Sequence, residues 1–164
     1  MADVILYSGN GFSVADGKGR FVLPLDMRKQ VKLASGGETT LCVSVHGENP
    51  CAIGFGESHR QHMFRDTEDQ LLQARAAGRV FKSDPLNELQ LGSIEQVNFD
   101  DGGRFAMPAD FRFEYGFEDV VFFLGAGRYF QMWKPETLVD SKDRPELIRN
   151  KVRRWLDERE KGGK

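Results

Sequence analysis

The chain has 164 residues, 40% of them hydrophobic and 13 of them Phe, enough for one core or two tightly interlocked halves. Its net charge of −2 supplies no general attraction to a polyanion, so such a partner must be met by a local patch. No apolar run approaches the ~20 residues that cross a bilayer, and no membrane association is expected.

The opening Met1-Ala2-Asp3-Val4-Ile5-Leu6 has no basic segment ahead of a long apolar one. No signal peptide is expected, and the expected compartment is the cytoplasm. Phe12-Ser13-Val14 alternates and leads into Asp16-Gly17-Lys18-Gly19, a tight-turn composition. Arg20-Phe21-Val22-Leu23 reads as the return strand, stopped by Pro24, so residues 12–23 predict a hairpin. Leu25 to Leu33 predicts a short helix, with Asp26 in its first turn and Lys32 in its last, as the helix dipole favours. Residues 39–45 and 51–55 predict a second hairpin around Gly47-Glu48-Asn49-Pro50. In that register Cys51 faces residue 44 or its neighbours rather than Cys42, and two buried free thiols are expected.

Residues 57–77 predict a helix with Phe64, Leu71 and Leu72 as a sparse apolar face, ended by Gly78. Asp84-Pro85 starts a shorter helix. His59 and His62 are three apart with no third ligand close in sequence, so both are expected at the surface and no metal site is assigned. The order then repeats: strand 94–99, turn 100–103, strand 104–107, helix 108–115, and a hairpin of 120–124 with 129–133. In the last helix, begun at Pro145, Ile148, Val152, Trp155 and Leu156 recur on one face, with Arg149, Lys151, Arg153 and Arg154 opposite. That apolar stripe, or an exposed edge strand, is the expected contact between subunits. Lys161-Gly162-Gly163-Lys164 is expected to be disordered.

Within this order a thirteen-residue signature occurs twice. Residues 16–28 read DGKGRFVLPLDMR and residues 100–112 read DDGGRFAMPADFR. Asp16/Asp100, Gly19/Gly103, Arg20/Arg104, Phe21/Phe105, Pro24/Pro108, Asp26/Asp110 and Arg28/Arg112 are identical. An offset of 84 residues with only two copies excludes a solenoid and predicts one domain with internal two-fold pseudosymmetry. The copies differ in charge. Residues 1–34 hold Lys18, Arg20, Arg28, Lys29 and Lys32 against three Asp, whereas 84–119 hold Arg104 and Arg112 against nine acids. A polyanion should favour the first copy.

No phosphate loop, G-x-S-x-G or H-E-x-x-H is present, and the acidic pairs Asp100-Asp101 and Glu118-Asp119 lack partners. No enzyme activity, catalytic residue, cofactor or small-molecule substrate is expected. The turn itself carries two readings. Asp16 and Asp100 can staple Arg20 and Arg104, or the arginines can fork onto guanine or phosphate. Both hold together if the carboxylate orients the guanidinium. Gly19 and Gly103 would supply the positive φ of the turn. Arg28 and Arg112 fall on the short helices, paired with Asp26 and Asp110, capping a hairpin, or reaching a ligand.

The paired D-x-K-G-R-x-x-x-P and D-x-x-G-R-x-x-x-P segments, each followed by a helix and a hairpin, resemble the MraZ family over residues 8–135. The resemblance implies an α+β fold: a pseudo-two-fold swapped-hairpin β-barrel related to AbrB/SpoVT proteins. Its parts would be a first repeat at 8–56, a helical connection at 57–93, a second repeat at 94–136, and a C-terminal helix and tail at 137–164. It implies a nucleoid-associated transcriptional regulator, usually a repressor of its own promoter in the division and cell-wall cluster. It also implies a ring of subunits on short direct repeats in double-stranded DNA. The family's contact arginine corresponds to Arg20, beside Lys18, and by repeat to Arg104, with Arg28 a further candidate. An oligomeric scaffold using the acidic second repeat, and an AbrB-type antitoxin, are the alternatives.

Overall fold

The structure is a computed structural model that describes residues 4–162. The disorder expected at Gly163 and Lys164 lies outside the described residues.

The first repeat contains β1 (Asn10–Val14), β2 (Arg20–Val22), α1 (Leu25–Ala34), β3 (Thr40–Val45) and β4 (Ala52–Phe55). α2 (His59–Ala76) and α3 (Ser83–Gln90) connect it to the second repeat. That repeat contains β5 (Glu95–Asn98), β6 (Arg104–Ala106), α4 (Ala109–Tyr115), β7 (Val120–Gly125) and β8 (Phe130–Trp133). α5 (Pro135–Asp140) and α6 (Glu146–Lys161) follow. The molecule is α+β. Among the described residues no helix is long and apolar enough to cross a membrane.

Two antiparallel sheets form, ordered β1-β7-β8-β4-β3-β5 and β2-β6. Exchanging each strand for its counterpart in the other repeat reverses both orders and so returns the same two sheets. The pseudo-two-fold axis therefore passes between β4 and β8, and between β2 and β6, where Phe21 lies opposite Phe105. The expected hairpins 39–55 and 120–133 form as β3–β4 and β7–β8.

The hairpins expected at 12–23 and 94–107 do not form as strand pairs. β1 pairs with β7 of the other repeat, β5 pairs with β3, and β2 and β6 pair with each other. Each turn closes with two backbone bonds, Asp16 N–H to Arg20 O and Gly19 N–H to Asp16 O in the first and their counterparts at Asp100, Gly103 and Arg104 in the second, and the ladder stops there. The exchange is favoured by burial. Against β7, Phe12 meets the Phe122 ring at 4.6 Å between centroids, an aromatic contact that adds to the area buried. No continuous ladder closes a barrel, because β1 and β5 are the edges of the six-stranded sheet.

One core cluster lies between the main sheet and the β2–β6 ribbon, with Phe21, Leu23, Phe105, Met107, Met27, Val31 and Phe111 meeting Phe123, Phe130 and Met132. A second, with Phe122, Trp133, Leu138 and Val152, lies under α5 and α6. Cys42 is in the first and Cys51 in the second, both as free thiols. Burial pushes the Cys51 thiol up to about 12. Cys51 does not face Cys42, which pairs with Phe55; it sits opposite His46, two positions past residue 44, since Val45 pairs with Ala52 and the His46 N–H donates to Cys51 O.

Four further expectations are corrected. His59 is buried, edge-on to Phe55 and Tyr129, and burial pushes its imidazole down to about 4. α2 buries His59, Met63, Thr67 and Ala74 and leaves Phe64 and Leu72 exposed. Thr67 can face inward because its hydroxyl donates to the Met63 carbonyl. The α6 stripe is not a free subunit surface: Val152 is fully buried, Ile148 and Leu156 pack on the second cluster, and the Trp155 ring stacks on Phe12 at 4.2 Å. Lys161 belongs to α6, and the Gly162 N–H caps it through Glu158 O.

Candidate nucleic-acid interface

The two signature turns match bond for bond. In the first, Asp16 Oδ1 accepts the N–H groups of Lys18 and Arg20, both at 2.9 Å, and Oδ2 accepts Arg20 Nε at 3.0 Å. In the second, Asp100 Oδ1 accepts the N–H groups of Gly102 and Arg104 at 3.0 and 2.9 Å, and Oδ2 accepts Arg104 Nε at 2.9 Å. The Gly19 and Gly103 N–H groups donate to Asp16 O and Asp100 O. These glycines have φ of +75° and +84°, a conformation that other L-residues adopt at a cost. The bonds received from Arg20 and Arg104, backbone first, hold both aspartates below the usual carboxylate range.

Each carboxylate engages the Nε side of its arginine, with Arg20 Nη2 also 3.0 Å from Asp16 Oδ2. Among the described residues, Arg20 Nη1 and both Nη atoms of Arg104 make no hydrogen bond. The staple and the outward fork are therefore compatible: the aspartate fixes the plane of the guanidinium and leaves its far end to a ligand. Lys18 stands exposed at the tip of the first turn.

Strand alternation places both arginines on one surface. Phe21 and Phe105 point into the core from β2 and β6, so Arg20, Val22, Arg104 and Ala106 point outward. Arg20 is opposite Ala106 and Arg104 opposite Val22. One two-stranded ribbon thus presents both signature arginines, brought together from 84 residues apart.

Arg28 and Arg112 do not join that surface, nor do they pair with Asp26 and Asp110. Residues two apart on a helix do not face each other. Arg28 donates from Nε and Nη2 to Leu23 O at 3.3 and 3.0 Å, and its guanidinium lies against Gly103. Arg112 Nη2 donates to Gly19 O at 2.7 Å, and its guanidinium lies over the Phe21 ring. Arg112 therefore braces the turn of the opposite repeat through a hydrogen bond, whereas Arg28 bonds within its own repeat and packs against Gly103 of the opposite turn. Sequence reasoning missed this bracing and the outward placement of Val22 and Ala106. The alternation of Arg20-Phe21-Val22-Leu23 carried the second signal, whereas no local pattern carried the first.

The basic face of α6 is partly engaged internally. Arg149 donates to Val139 O, and Arg159 to Asp119 at 2.8 Å. Lys151, Arg153 and Arg154 are exposed. Among the described residues no group of three or more His, Cys, Asp or Glu is placed to hold a metal ion.

No protein-family model matches the chain. Curated relatives do match over most of its length. A protein of Rhodospirillum rubrum named transcriptional regulator MraZ is 30% identical over 132 residues, which is 79% of each chain. Proteins of the same name are 29% identical over 157 residues in Ruegeria pomeroyi, covering 93% of this chain and 87% of that one, and 30% identical over 131 residues in Parvibaculum lavamentivorans, covering 79% and 76%. With this extent of identity, and with the twice-repeated turn at its centre, the chain belongs to the MraZ family of transcriptional regulators.

Proposed function

We propose that this chain is a sequence-specific DNA-binding repressor of its own promoter, and that it engages short direct repeats with the β2–β6 ribbon. The observation that carries the reading is the pair of carboxylate-oriented arginines on one exposed ribbon, with Lys18 at its edge. The major groove admits a two-stranded ribbon, and an arginine fork matches guanine O6 and N7. The exchange of β1 and β5 between repeats supports the swapped-hairpin kinship and a single unit made from repeats 8–56 and 94–136.

The functional particle is a ring of subunits. One chain already completes the pseudo-two-fold unit, so a two-fold dimer is not needed, and identical subunits arranged head to tail meet direct repeats rather than a palindrome. The α6 stripe is spent inside the chain, which leaves the edge strands for contact between subunits. A second reading, a protein contact through the acidic repeat, draws on Phe113. This residue is 88% exposed on α4 beside Asp110 and Glu114.

A mobility-shift assay with DNA from upstream of the protein's own gene tests the first reading. Specific, salt-sensitive retardation that Arg20→Ala strongly weakens supports it. Binding no tighter than to a shuffled duplex refutes it. Light scattering that shows a monomer at micromolar concentration refutes the ring.

A further inference from the structure

Val22 is an exposed β-branched residue between two arginines. It is 41% exposed, it lies opposite Arg104 in the ribbon register, and it is two residues beyond Arg20 on the same face. The core does not require a valine there: Phe21 and Leu23, on either side, are the fully buried positions of that strand. The ribbon beneath is firm. The Phe21 and Phe105 rings lie 6.4 Å apart, the Val22 N–H donates to Ser13 Oγ at 2.8 Å, and the Leu23 N–H donates to Gly103 O. Val22 therefore holds a fixed apolar surface among groups that seek acceptors.

The major groove offers that combination of chemistries. Guanine presents O6 and N7 acceptors, and thymine presents a C5-methyl group, the one apolar feature of the groove floor. Side chains two apart on a strand are separated by about 6.6 Å, close to two base steps of about 3.4 Å. A ribbon that sets Arg20 on a guanine brings Val22 over a base one or two steps away. Cross-strand neighbours are about 5 Å apart at Cβ, so the Arg104 fork and the Val22 methyls address neighbouring bases too. Resting on the DNA-binding reading above, we infer that Val22 is a specificity-determining residue that packs on the C5-methyl of a thymine beside the guanine taken by a signature arginine. Its pseudo-symmetric counterpart, Ala106, has a single methyl carbon and leaves the equivalent base unread.

The test replaces each thymine of the upstream duplex, one at a time, by deoxyuracil, which removes only the methyl group. At one position of each repeat, wild-type affinity is expected to fall about 3–10-fold, the lower part of the range for losing a base contact. Val22→Ala is expected to bind the thymine and uracil duplexes equally, and Ala106→Val to gain methyl sensitivity at a second position. Melting curves confirm that both variants fold. If no uracil duplex is distinguished from its parent by the wild type, or if Val22→Ala keeps the full discrimination, the inference is overturned. Arg20-dependent binding without a methyl effect overturns this inference alone. No specific binding to the parent duplex removes the DNA reading and this inference together.

Discussion

The Asp16–Arg20 and Asp100–Arg104 turns share every hydrogen bond of their frame and differ in what the frame carries. The first turn, with Asp16, Lys18 and Arg20, has a net charge of +1. The second, with Asp100, Asp101 and Arg104, has −1. Arg20 is also the more enclosed arginine, with its side chain 31% exposed against 48% for Arg104. Mechanical role and ligand chemistry are thus separable: glycine, aspartate and arginine build the turn, and the two residues between them set its electrostatics. Both turns can orient an arginine, but only the first surrounds it with the sign that attracts a polyanion.

The largest expected effect breaks the comparison if the turns are equal as ligands. Arg20→Ala should weaken specific binding about 10- to 100-fold, the range for a bidentate base contact of roughly 1–3 kcal/mol. The melting temperature should move little, because a solvent-screened ion pair this exposed contributes little to stability. Arg104→Ala should cost severalfold less in affinity. Equal losses in titrations at one salt concentration would show that local charge does not rank the turns. A large drop in melting temperature for Arg20→Ala would show that the staple is the main role of this arginine.

Next in size is a stability difference. Gly19→Ala forces an L-residue into a positive φ with Arg112 no nearer than 3.5 Å to the new Cβ, a cost of about 1–2 kcal/mol. Gly103→Ala carries the same backbone cost, and its Cβ also overlaps the Arg28 guanidinium, which must leave Leu23 O. Losing that bond adds about 1 kcal/mol, so Gly103→Ala should melt lower by several degrees. Equal melting points would mean that Arg28 swings away freely and does not brace the second turn.

These contacts also mark the limit of the sequence. The turns, their staples and the helices after them were legible because each is local: an aspartate, a glycine and an arginine within five residues specify one another. The exchange of β1 and β5 was not, because turn chemistry names a turn without naming the partner of each strand. Periodicity misread α2, since the helix buries His59 and Thr67, satisfied or enclosed locally, and leaves Phe64 in solvent. α5 was missed because six residues are less than two helical turns and show no period. The fork of Arg20 was visible in the signature. The bracing of that turn by Arg112, which donates to Gly19 O from 93 residues further along, was not.

A smaller effect sharpens the electrostatic half of the comparison. Lys18→Ala removes one cation from the first turn, so the slope of log K against log salt should become shallower by about 0.9 and all sequences should weaken alike. Gly102→Lys places a cation at the matching position of the second turn. If that turn also lies along a phosphate, the slope should steepen by about the same 0.9. A slope unchanged by Lys18→Ala removes this residue from the interface. A response to Gly102→Lys but not to Lys18→Ala would reverse the ranking of the two turns.

The smallest effect tests the claim that the frames are the same. Asp16 and Asp100 are both held below the usual carboxylate range, by the Arg20 and Arg104 N–H groups first and by the guanidinium bonds after these. A carboxylate with a depressed folded-state pKa binds its proton more readily in the unfolded chain. Its stabilising contribution is therefore complete above the unfolded value, near 3.8, and is lost as pH falls through the lower folded value. Both turns should keep their staples throughout the neutral range and release them together in acid. Carbon-detected NMR titration of the two carboxyls should give nearly superimposable curves, both displaced to low pH. The net charges of the turns pull the other way: the neighbouring Asp101 opposes ionisation of Asp100, whereas Lys18 assists that of Asp16. If the Asp100 curve lies well above that of Asp16, local charge penetrates the frame and the turns are not mechanically equivalent. If the curves coincide, the hydrogen bonds dominate, and the difference between the turns is confined to what they present to a ligand.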